Sequence, residues 1–227
     1  MDKILAVKKG TDADLYKIQV SGGSFFYVRI SYLEDPWKSS IQHKIGSFLE
    51  EPSMSDDAEK SKLSEDEYIQ ITQASLCYRI ERRALALIAR SEQNRSRLYK
   101  KLLLGDVPPD LINKVLDRLE SMSFINDRRF IEAWIRSHIS KGNLGAKKAA
   151  ARLVYAGIPY RDAQEALHQL YPPENEALAI QRFVDKKMLQ DKLSLRQSRY
   201  ELTCILQKAG FSRQGIRFFF DNGNNTH

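Results

Sequence analysis

The sequence predicts a mainly α-helical protein, in which tandem three-helix repeats form a curved array and a small antiparallel β unit precedes them. Three observations support this fold class. Strand-like runs are confined to the first 35 residues, and apolar spacings of three and four dominate after residue 64. A pattern of apolar and turn residues then recurs three times, at intervals of 51 and 53 residues.

The first 49 residues form the predicted β-rich unit. Runs rich in Ile, Val, Phe and Tyr occupy residues 3–8, 15–20 and 24–32. Gly10-Thr11-Asp12 and Ser21-Gly22-Gly23-Ser24 separate these runs and are typical turn sequences. Because three strands alone make a marginal domain, we expect the sheet to pack on another part of the chain.

An acidic stretch over residues 50–63 is predicted to be a solvated linker. Helix is predicted to begin after Ser64, because a hydroxyl at the cap and Glu67 three residues later can each bind a free backbone N–H group. Further along, Ile80, Ala84, Leu87 and Ile88 share one helix face. The arginines of this segment lie elsewhere on its surface, at Arg79, Arg82, Arg83 and Arg90.

The internal repeat has the same offsets in all three copies. Each copy has a leucine, a turn residue four positions later, an apolar residue directly after it, and three apolar residues on the next helix. The copies are Leu102, Asp106, Val107, Ile112, Val115 and Leu116; Leu153, Gly157, Ile158, Ala163, Ala166 and Leu167; and Leu206, Gly210, Phe211, Ile216, Phe219 and Phe220. Gly157 and Gly210 suit a left-handed turn, and Asp106 is a poorer substitute. The period of about 50 residues is typical of a helical array.

These observations set the predicted domain boundaries. They are 1–49 for the β-rich unit, 50–63 for the acidic linker, 64–125, 126–173 and 174–222 for the three helical repeats, and 223–227 for a tail.

The net charge of +7 is unevenly distributed along the chain. Residues 1–70 carry a net charge of −4, and residues 71–227 carry +11. The basic helical part therefore predicts binding to a polyanion, with nucleic acid first, or to an acidic protein surface.

No pattern typical of an active site is present, so we expect no enzymatic activity, no catalytic residue, no cofactor and no metal. His43, His138, His168 and His227 have no metal-ligand spacing. Gly142-Asn143-Leu144-Gly145 does not follow a strand and is interpreted as a helix connector. A nuclease would need clustered carboxylates for metal, which the basic region lacks.

The two cysteines, Cys77 and Cys204, are expected to be reduced, partly buried thiols; a disulfide or a catalytic thiol is the alternative. No apolar run is long enough to span a membrane. We therefore expect a cytoplasmic protein.

Two segments resemble the RecX family of bacterial regulatory proteins. The first is Leu87-Ile88-Ala89-Arg90 together with Arg97-Leu98-Tyr99-Lys100-Lys101-Leu102. The second, residues 124–136, is Phe-Ile-Asn-Asp-Arg-Arg-Phe-Ile-Glu-Ala-Trp-Ile-Arg, in which an acidic residue starts a helix ahead of an Arg-Phe pair. Gly142 and the turns at Gly157-Ile158 and Lys208-Ala209-Gly210-Phe211 also match. The resemblance covers residues 80–221, with departures at Ser91, Arg97, Ser123 and Asn126.

This resemblance implies a regulator that lies in the groove of the RecA–DNA filament. It implies inhibition of the RecA ATPase, of filament extension and of strand exchange, and so a role in recombinational DNA repair and the SOS response. The implied partners are the RecA recombinase and the RecA–ssDNA filament, with direct DNA binding also open. No membrane is expected as a partner, and we expect a monomer.

The candidate filament-binding or DNA-binding residues are basic and fall in clusters along the three repeats. If one cluster per repeat faced one side of the array, the clusters would form a positive stripe; ordinary solvated helix faces are the alternative. The candidates are Arg90, Arg95, Arg97, Lys100, Lys101, Arg128, Arg129, Arg136, Lys141, Lys147, Lys148, Arg152, Lys186, Lys187, Arg196, Arg199, Lys208 and Arg213, with Lys192 in the same run as Arg196.

Several other residues have structural interpretations. Asp127 is predicted to be the N-cap of a helix that begins at Arg128. Phe124, Phe130, Trp134 and Phe211 are predicted to pack in the core. For the run of Phe25, Phe26 and Tyr27, stacking on nucleic acid remains an alternative.

A helix-turn-helix transcription regulator is the alternative function. Leu153, the Gly157-Ile158 turn and the following helix resemble that motif. However, residues 160–170 offer Arg161 against Asp162 and Glu165, which favours a packing helix over a DNA-reading helix.

Overall fold

The computed structural model describes residues 2–50, 62–139, 144–193 and 196–222. Three strands open the chain: β1 is Ile4–Lys9, β2 is Leu15–Val20 and β3 is Phe25–Arg29. They form an antiparallel sheet in the order β1-β2-β3. The predicted third strand is shorter than expected, because residues Ile30–Tyr32 form a 3-10 turn.

Helices make up most of the rest of the described chain, so the predicted fold class, mainly α with a small antiparallel β unit, is confirmed. The helices are α1 (Trp37–Glu50), α2 (Glu65–Arg90), α3 (Arg95–Leu103), α4 (Pro109–Ser121), α5 (Asp127–Ile139), α6 (Ala146–Tyr155), α7 (Tyr160–Leu170), α8 (Pro173–Lys186), α9 (Arg196–Lys208) and α10 (Arg213–Asn222). A second 3-10 turn covers Gln190–Leu193.

The described residues form two compact units. The first contains the sheet, α1, α2, the end of α3 from Tyr99, and α4. The second contains the start of α3 up to Leu98, and α5 to α10.

In the first unit the sheet packs on helices, as expected of so small a sheet. β1 contacts α1, and β3 contacts α2. The sequence did not predict α1; its residues had been included in the β-rich unit. The apolar residues Ile18, Val28, Ile41 and Ile71 are fully buried between these elements.

The helix start at Ser64 is confirmed in detail. The Ser64 backbone N–H donates to Glu67 Oε2 at 2.8 Å, and the Glu67 N–H donates to Ser64 Oγ at 3.1 Å. Of the acidic linker that precedes it, residues 51–61 lie outside the described residues.

The three predicted turns have the expected backbone. Asp106, Gly157 and Gly210 have φ values of 52°, 97° and 90°. After α6, the Ile158 N–H donates to the Leu153 carbonyl at 3.0 Å, and the Gly157 N–H donates to the Val154 carbonyl at 2.9 Å. These two bonds define a Schellman helix end, which satisfies carbonyl groups that the helix leaves free.

Each helix triplet is arranged in the same way. The first helix packs on the third: α2 on α4 in the first unit, and α5 on α7 and α8 on α10 in the second. The repeated leucines Leu102, Leu153 and Leu206 are all buried. In the second unit, α5 to α10 share one apolar core, which contains Phe130, Leu153, Ile180, Leu206 and Phe211.

Two predictions about residues 124–130 are wrong. The N-cap of α5 is Asn126, whose Oδ1 accepts the Arg129 N–H at 3.0 Å, and Asp127 is the first helical residue. Phe124 is 41% exposed instead of buried. Among the other aromatic residues of that prediction, Phe130 and Phe211 are buried and Trp134 is half-buried.

The cysteines are free thiols, as predicted. Cys77 is buried on α2, and burial raises the pKa of its thiol to about 11. Cys204 on α9 is half-buried.

Candidate nucleic-acid interface

Several basic residues of the second unit lie on chain segments that touch, where the start of α6 meets the turn after α9. The Lys147 backbone N–H donates to the Gly210 carbonyl at 3.0 Å. A methyl group on Gly210 would lie 2.5 Å from Lys148 Cγ, so the two chain segments are in direct contact. Five exposed basic residues belong to these segments and their helices: Lys147, Lys148, Arg152, Lys208 and Arg213. We call this set the basic ridge.

Glu176 holds together the chain segments that carry the basic ridge. Its side chain on α8 is buried, and its Oε1 accepts the Ala146 N–H at 2.9 Å and the Ser212 N–H at 2.8 Å. Its Oε2 accepts the Ser212 hydroxyl. Because one carboxylate binds the starts of α6 and α10, the residues that follow, Lys147 and Arg213, are held in neighbouring turns.

A buried carboxylate is stable in this position because its charge is compensated locally. Helix N-termini carry a partial positive charge and free N–H groups, and here two such ends face Glu176. Ser212 also caps α10, with its Oγ accepting the Gly215 N–H at 2.9 Å. Gly215 leaves room for the carboxylate, since a methyl group there would lie 2.3 Å from Glu176 Oε2.

Glu176 and Ser212 were not predicted as functional residues from the sequence. A signal was present for each. Glu176 lies four residues before Ile180 on the apolar face of α8, a position where an acid needs a buried partner. Ser212 directly precedes a helix and is of a type common at N-caps.

A second contact in this unit has a similar arrangement, in which the turn after α6 lies against the start of α3. Asn94 is fully buried; its Oδ1 accepts the Arg97 N–H at 3.1 Å, and its Nδ2 donates to the Ala156 carbonyl at 2.9 Å. A methyl group on Gly157 would lie 2.4 Å from Ser96 Cβ. The turn after α6 therefore sits against the start of α3 much as the turn after α9 sits against the start of α6.

The repeat offset relates basic residues of the first and second copies. Arg97 and Lys148 each lie five residues before the repeated leucine, and Lys101 and Arg152 each lie one residue before it. Arg97, Lys148 and Arg152 are exposed, and Lys101 is half-buried. Two copies thus carry positive charge at equivalent positions.

The candidate arginines on α5 form ion pairs with acidic side chains at the surface. Arg128 and Arg136 both pair with Glu132, at 3.3 and 3.4 Å, and Arg129 pairs with Glu92 at 3.1 Å. Exposed pairs of this kind contribute little to stability. Arg97 lies over the Phe130 ring, 5.5 Å from its centroid.

The remaining candidates are distributed over both units. Arg90 and Lys100 are exposed in the first unit, while Arg95 in the second is half-buried. Lys186 and Lys187 are exposed at the end of α8, Arg199 lies over the Phe220 ring, and Lys192 pairs with Glu201 at 2.5 Å. Lys141 and the side chain of Arg196 lie outside the described residues.

A cleft of 480 Å³ lies beside the basic ridge in the second unit. Lys147, Tyr160, His168 and Gln214 line it, together with Glu176. Since the Glu176 oxygens accept hydrogen bonds from Ala146 and Ser212, this carboxylate has a structural role in the cleft.

Within residues 2–50, 62–139, 144–193 and 196–222, no group of three or more His, Cys, Asp or Glu residues is placed to hold a metal ion. None of the helices described there is both long and apolar enough to cross a membrane.

Known proteins similar to this chain were found among sequences and among solved structures. Regulatory protein RecX of Treponema pallidum is 28% identical over 123 residues, which are 54% of this chain and 75% of that protein. Regulatory protein RecX of Streptococcus uberis is 30% identical over 148 residues, which are 62% of this chain and 53% of that protein. The chain is similar to proteins named regulatory protein RecX.

The fold of this chain also has a solved counterpart. A crystal structure of a regulatory protein RecX superposes with a TM-score of 0.66 at 20% identity, over 98% of this chain and all of that one. At this identity the likeness concerns the fold. No protein-family model matches the chain. The relatives named above are regulatory proteins, and a regulatory role is the function that they support for this chain.

Proposed function

We propose that this protein binds the RecA–DNA filament and inhibits its ATPase, its extension and its strand exchange, without catalysing a reaction itself. The observation that supports this proposal most directly is the sequence match to proteins named regulatory protein RecX. Through that activity the protein would modulate recombinational DNA repair and the SOS response in the bacterial cytoplasm.

The basic ridge supports a polyanionic or acidic partner. Its five side chains are exposed, and Glu176 holds the segments on which they lie. A groove lined by phosphates or by carboxylates attracts such a surface. Basic residues at equivalent repeat positions support contacts made by more than one repeat, and linked weak contacts add avidity only when they engage together.

The alternative, a helix-turn-helix regulator, has a specific difficulty. In the motif formed by α6 and α7, the reading helix would be α7. Its exposed charged residues are Arg161, Asp162 and Glu165, which give it a net negative charge. A helix in the major groove lies between two phosphate backbones, whose negative charge disfavours a helix of net negative charge.

Substitutions on the basic ridge test the proposal. Lys147→Gln, Lys148→Gln and Arg152→Gln together should raise the concentration needed for half-inhibition of the RecA ATPase by about 10-fold or more, since each lost phosphate contact weakens binding. The matched control replaces three exposed arginines elsewhere: Arg79→Gln, Arg161→Gln and Arg217→Gln.

The two variants carry the same net charge, so a general charge effect would appear in both. Equal potency of both variants would contradict the role of the basic ridge. Tight binding to bare duplex with a preferred sequence, and no effect on RecA, would favour the helix-turn-helix alternative. Deleting residues 174–227 is a poorer test, because the second and third repeats share one core.

A further inference from the structure

The sheet presents an open face with aromatic and basic side chains. Residues directly opposite on paired strands share a face. The register places Lys8, Lys17 and Tyr27 in one cross-strand row, and Ala6, Gln19 and Phe25 in the next. Phe25 is 52% exposed and Tyr27 is 45% exposed.

The rings on this face are arranged with a cation among them. Lys17 Nζ lies 4.2 Å from the centroid of the Phe25 ring and 5.8 Å from that of Tyr27. Tyr78 on α2 extends the row, with its ring stacked on Tyr27 at a centroid distance of 6.0 Å and an interplanar angle of 27°. Arg82 is exposed one helical turn beyond Tyr78.

The charge of the sheet differs from that of the N-terminal region as a whole. The three strands contain Lys8, Lys9, Lys17 and Arg29 and no acidic residue. The acids of the nearby turn, Asp12 and Asp14, pair with the buried Arg29 at 2.7 and 2.5 Å. The negative net charge of residues 1–70 therefore lies entirely outside the strands.

We propose that this face of the sheet is a binding platform for single-stranded nucleic acid. Exposed flat rings stack on unpaired bases, and lysines beside them contact the phosphates. An acidic protein surface would use the lysines but would have no need for two half-exposed rings. The platform lies in the first unit, on different residues from the basic ridge, and it does not depend on the proposed action on RecA.

The test is binding of fluorescein-labelled dT15 to the full chain, without RecA, followed by fluorescence anisotropy. Stacking of one base on one ring contributes about 5-fold to about 150-fold in affinity, so Phe25→Ala with Tyr27→Ala should weaken binding by about 25-fold or more. The control, Tyr200→Ala, removes an exposed ring from α9 and should leave affinity within about 2-fold.

Two further variants separate the contributions of rings and charges. Phe25→Leu keeps an apolar side chain and should still weaken binding, while Tyr27→Phe keeps the ring and should not. Lys8→Gln with Lys17→Gln should reduce the steepness of the salt dependence, by roughly 0.7 in log–log slope for each lost phosphate contact. A thermal melt of each variant verifies that it is folded.

Photocrosslinking with dT15 that carries 5-iodouracil locates the site. Crosslinks to Phe25, Tyr27 or Tyr78 are expected. Crosslinks confined to the helical repeats, equal affinity of the ring variant and its control, or no binding of dT15 by the unmodified protein would each overturn the proposal. A lysine variant that loses binding to an acidic protein while the ring variant keeps it would assign the face to such a partner instead.

Discussion

Left-handed backbone conformations recur at helix ends of this chain, and glycine occupies only some of them. Ser123 and Met188 have φ values of 59° and 54°. The Leu189 N–H donates to the Val184 carbonyl at 3.0 Å, and the Phe124 N–H donates to the Leu119 carbonyl at 2.8 Å. Both helix ends thus use the same hydrogen bond as the turns at Gly157 and Gly210, but a side chain there costs roughly 1–2 kcal/mol.

Met188→Gly is expected to stabilise the protein. The Met188 side chain is 85% exposed, so little packing is lost, and the steric cost of its φ is removed. We expect the free energy of unfolding to rise by about 0.5–1 kcal/mol after the added flexibility of the unfolded chain is subtracted. Urea denaturation measures the change.

Gly157→Ala is the matched control and should lower the free energy of unfolding. Its φ is 97°, and the added methyl would lie 2.4 Å from Ser96 Cβ. A lower free energy of unfolding for Met188→Gly would contradict the claim that the left-handed conformation of Met188 destabilises this helix end.

The pH dependence of stability has a defined contribution from Glu67. Burial alone would raise the pKa of Glu67, but hydrogen bonds from Lys44, Ser40 and the Ser64 backbone lower it below its usual value. The folded pKa then lies below the unfolded one, which is about 4.3. The stabilisation is therefore present above about pH 4.3 and is lost as the pH falls through the folded value.

Glu67→Gln should reduce the loss of folding stability at acidic pH. Urea denaturation at pH 7 and at pH 3 should show a smaller loss of stability for the variant than for the unmodified protein. Glu65→Gln, at the start of the same helix, is the control. An unchanged difference between the two pH values in Glu67→Gln would contradict the contribution of this carboxylate.

At the scale of the helices, Glu176 joins α6, α8 and α10. We expect Glu176→Ala to lower the free energy of unfolding by roughly 3 kcal/mol or more, because buried N–H groups at two helix starts lose a charged acceptor. Glu174→Ala, an exposed acid in the first turn of α8, should cost no more than about 1 kcal/mol. Chemical denaturation of both variants compares them, and equal small losses would show that Glu176 does not hold these helices together.

The sequence predicted elements well where local chemistry decides them. The turns at Asp106, Gly157 and Gly210 and the capping box at Ser64 depend on residues close in the chain, and each was confirmed. The N-cap of α5 is Asn126 and not the predicted Asp127. Both residue types are suitable caps, and residue propensities do not locate a helix start to within one position.

Features that depend on tertiary contacts could not be predicted in the same way. α1 lacks an acidic residue in its first turn and a basic one in its last, so its boundaries give little local signal. Glu176 looks like any surface acid until Ala146 and Ser212, 30 and 36 residues away, are placed beside it. The candidate basic residues were found by composition, but their grouping into the basic ridge required the structure.

At the scale of the whole molecule, positive charge is distributed over the repeats of a chain that is similar to regulatory RecX proteins. The helical part carries the excess of basic residues, and the first two copies of the repeat place them at equivalent positions. Such a molecule can contact a repeating polymer at several points, so a modest number of bound copies can affect many subunits.

The most direct measurement of this claim is the single-strand-dependent ATPase rate of a bacterial RecA with this protein added below equimolar amounts. The account predicts strong inhibition at those ratios, because a copy bound to the filament affects more than one subunit. An ATPase rate that stays unchanged up to and beyond equimolar amounts would contradict it.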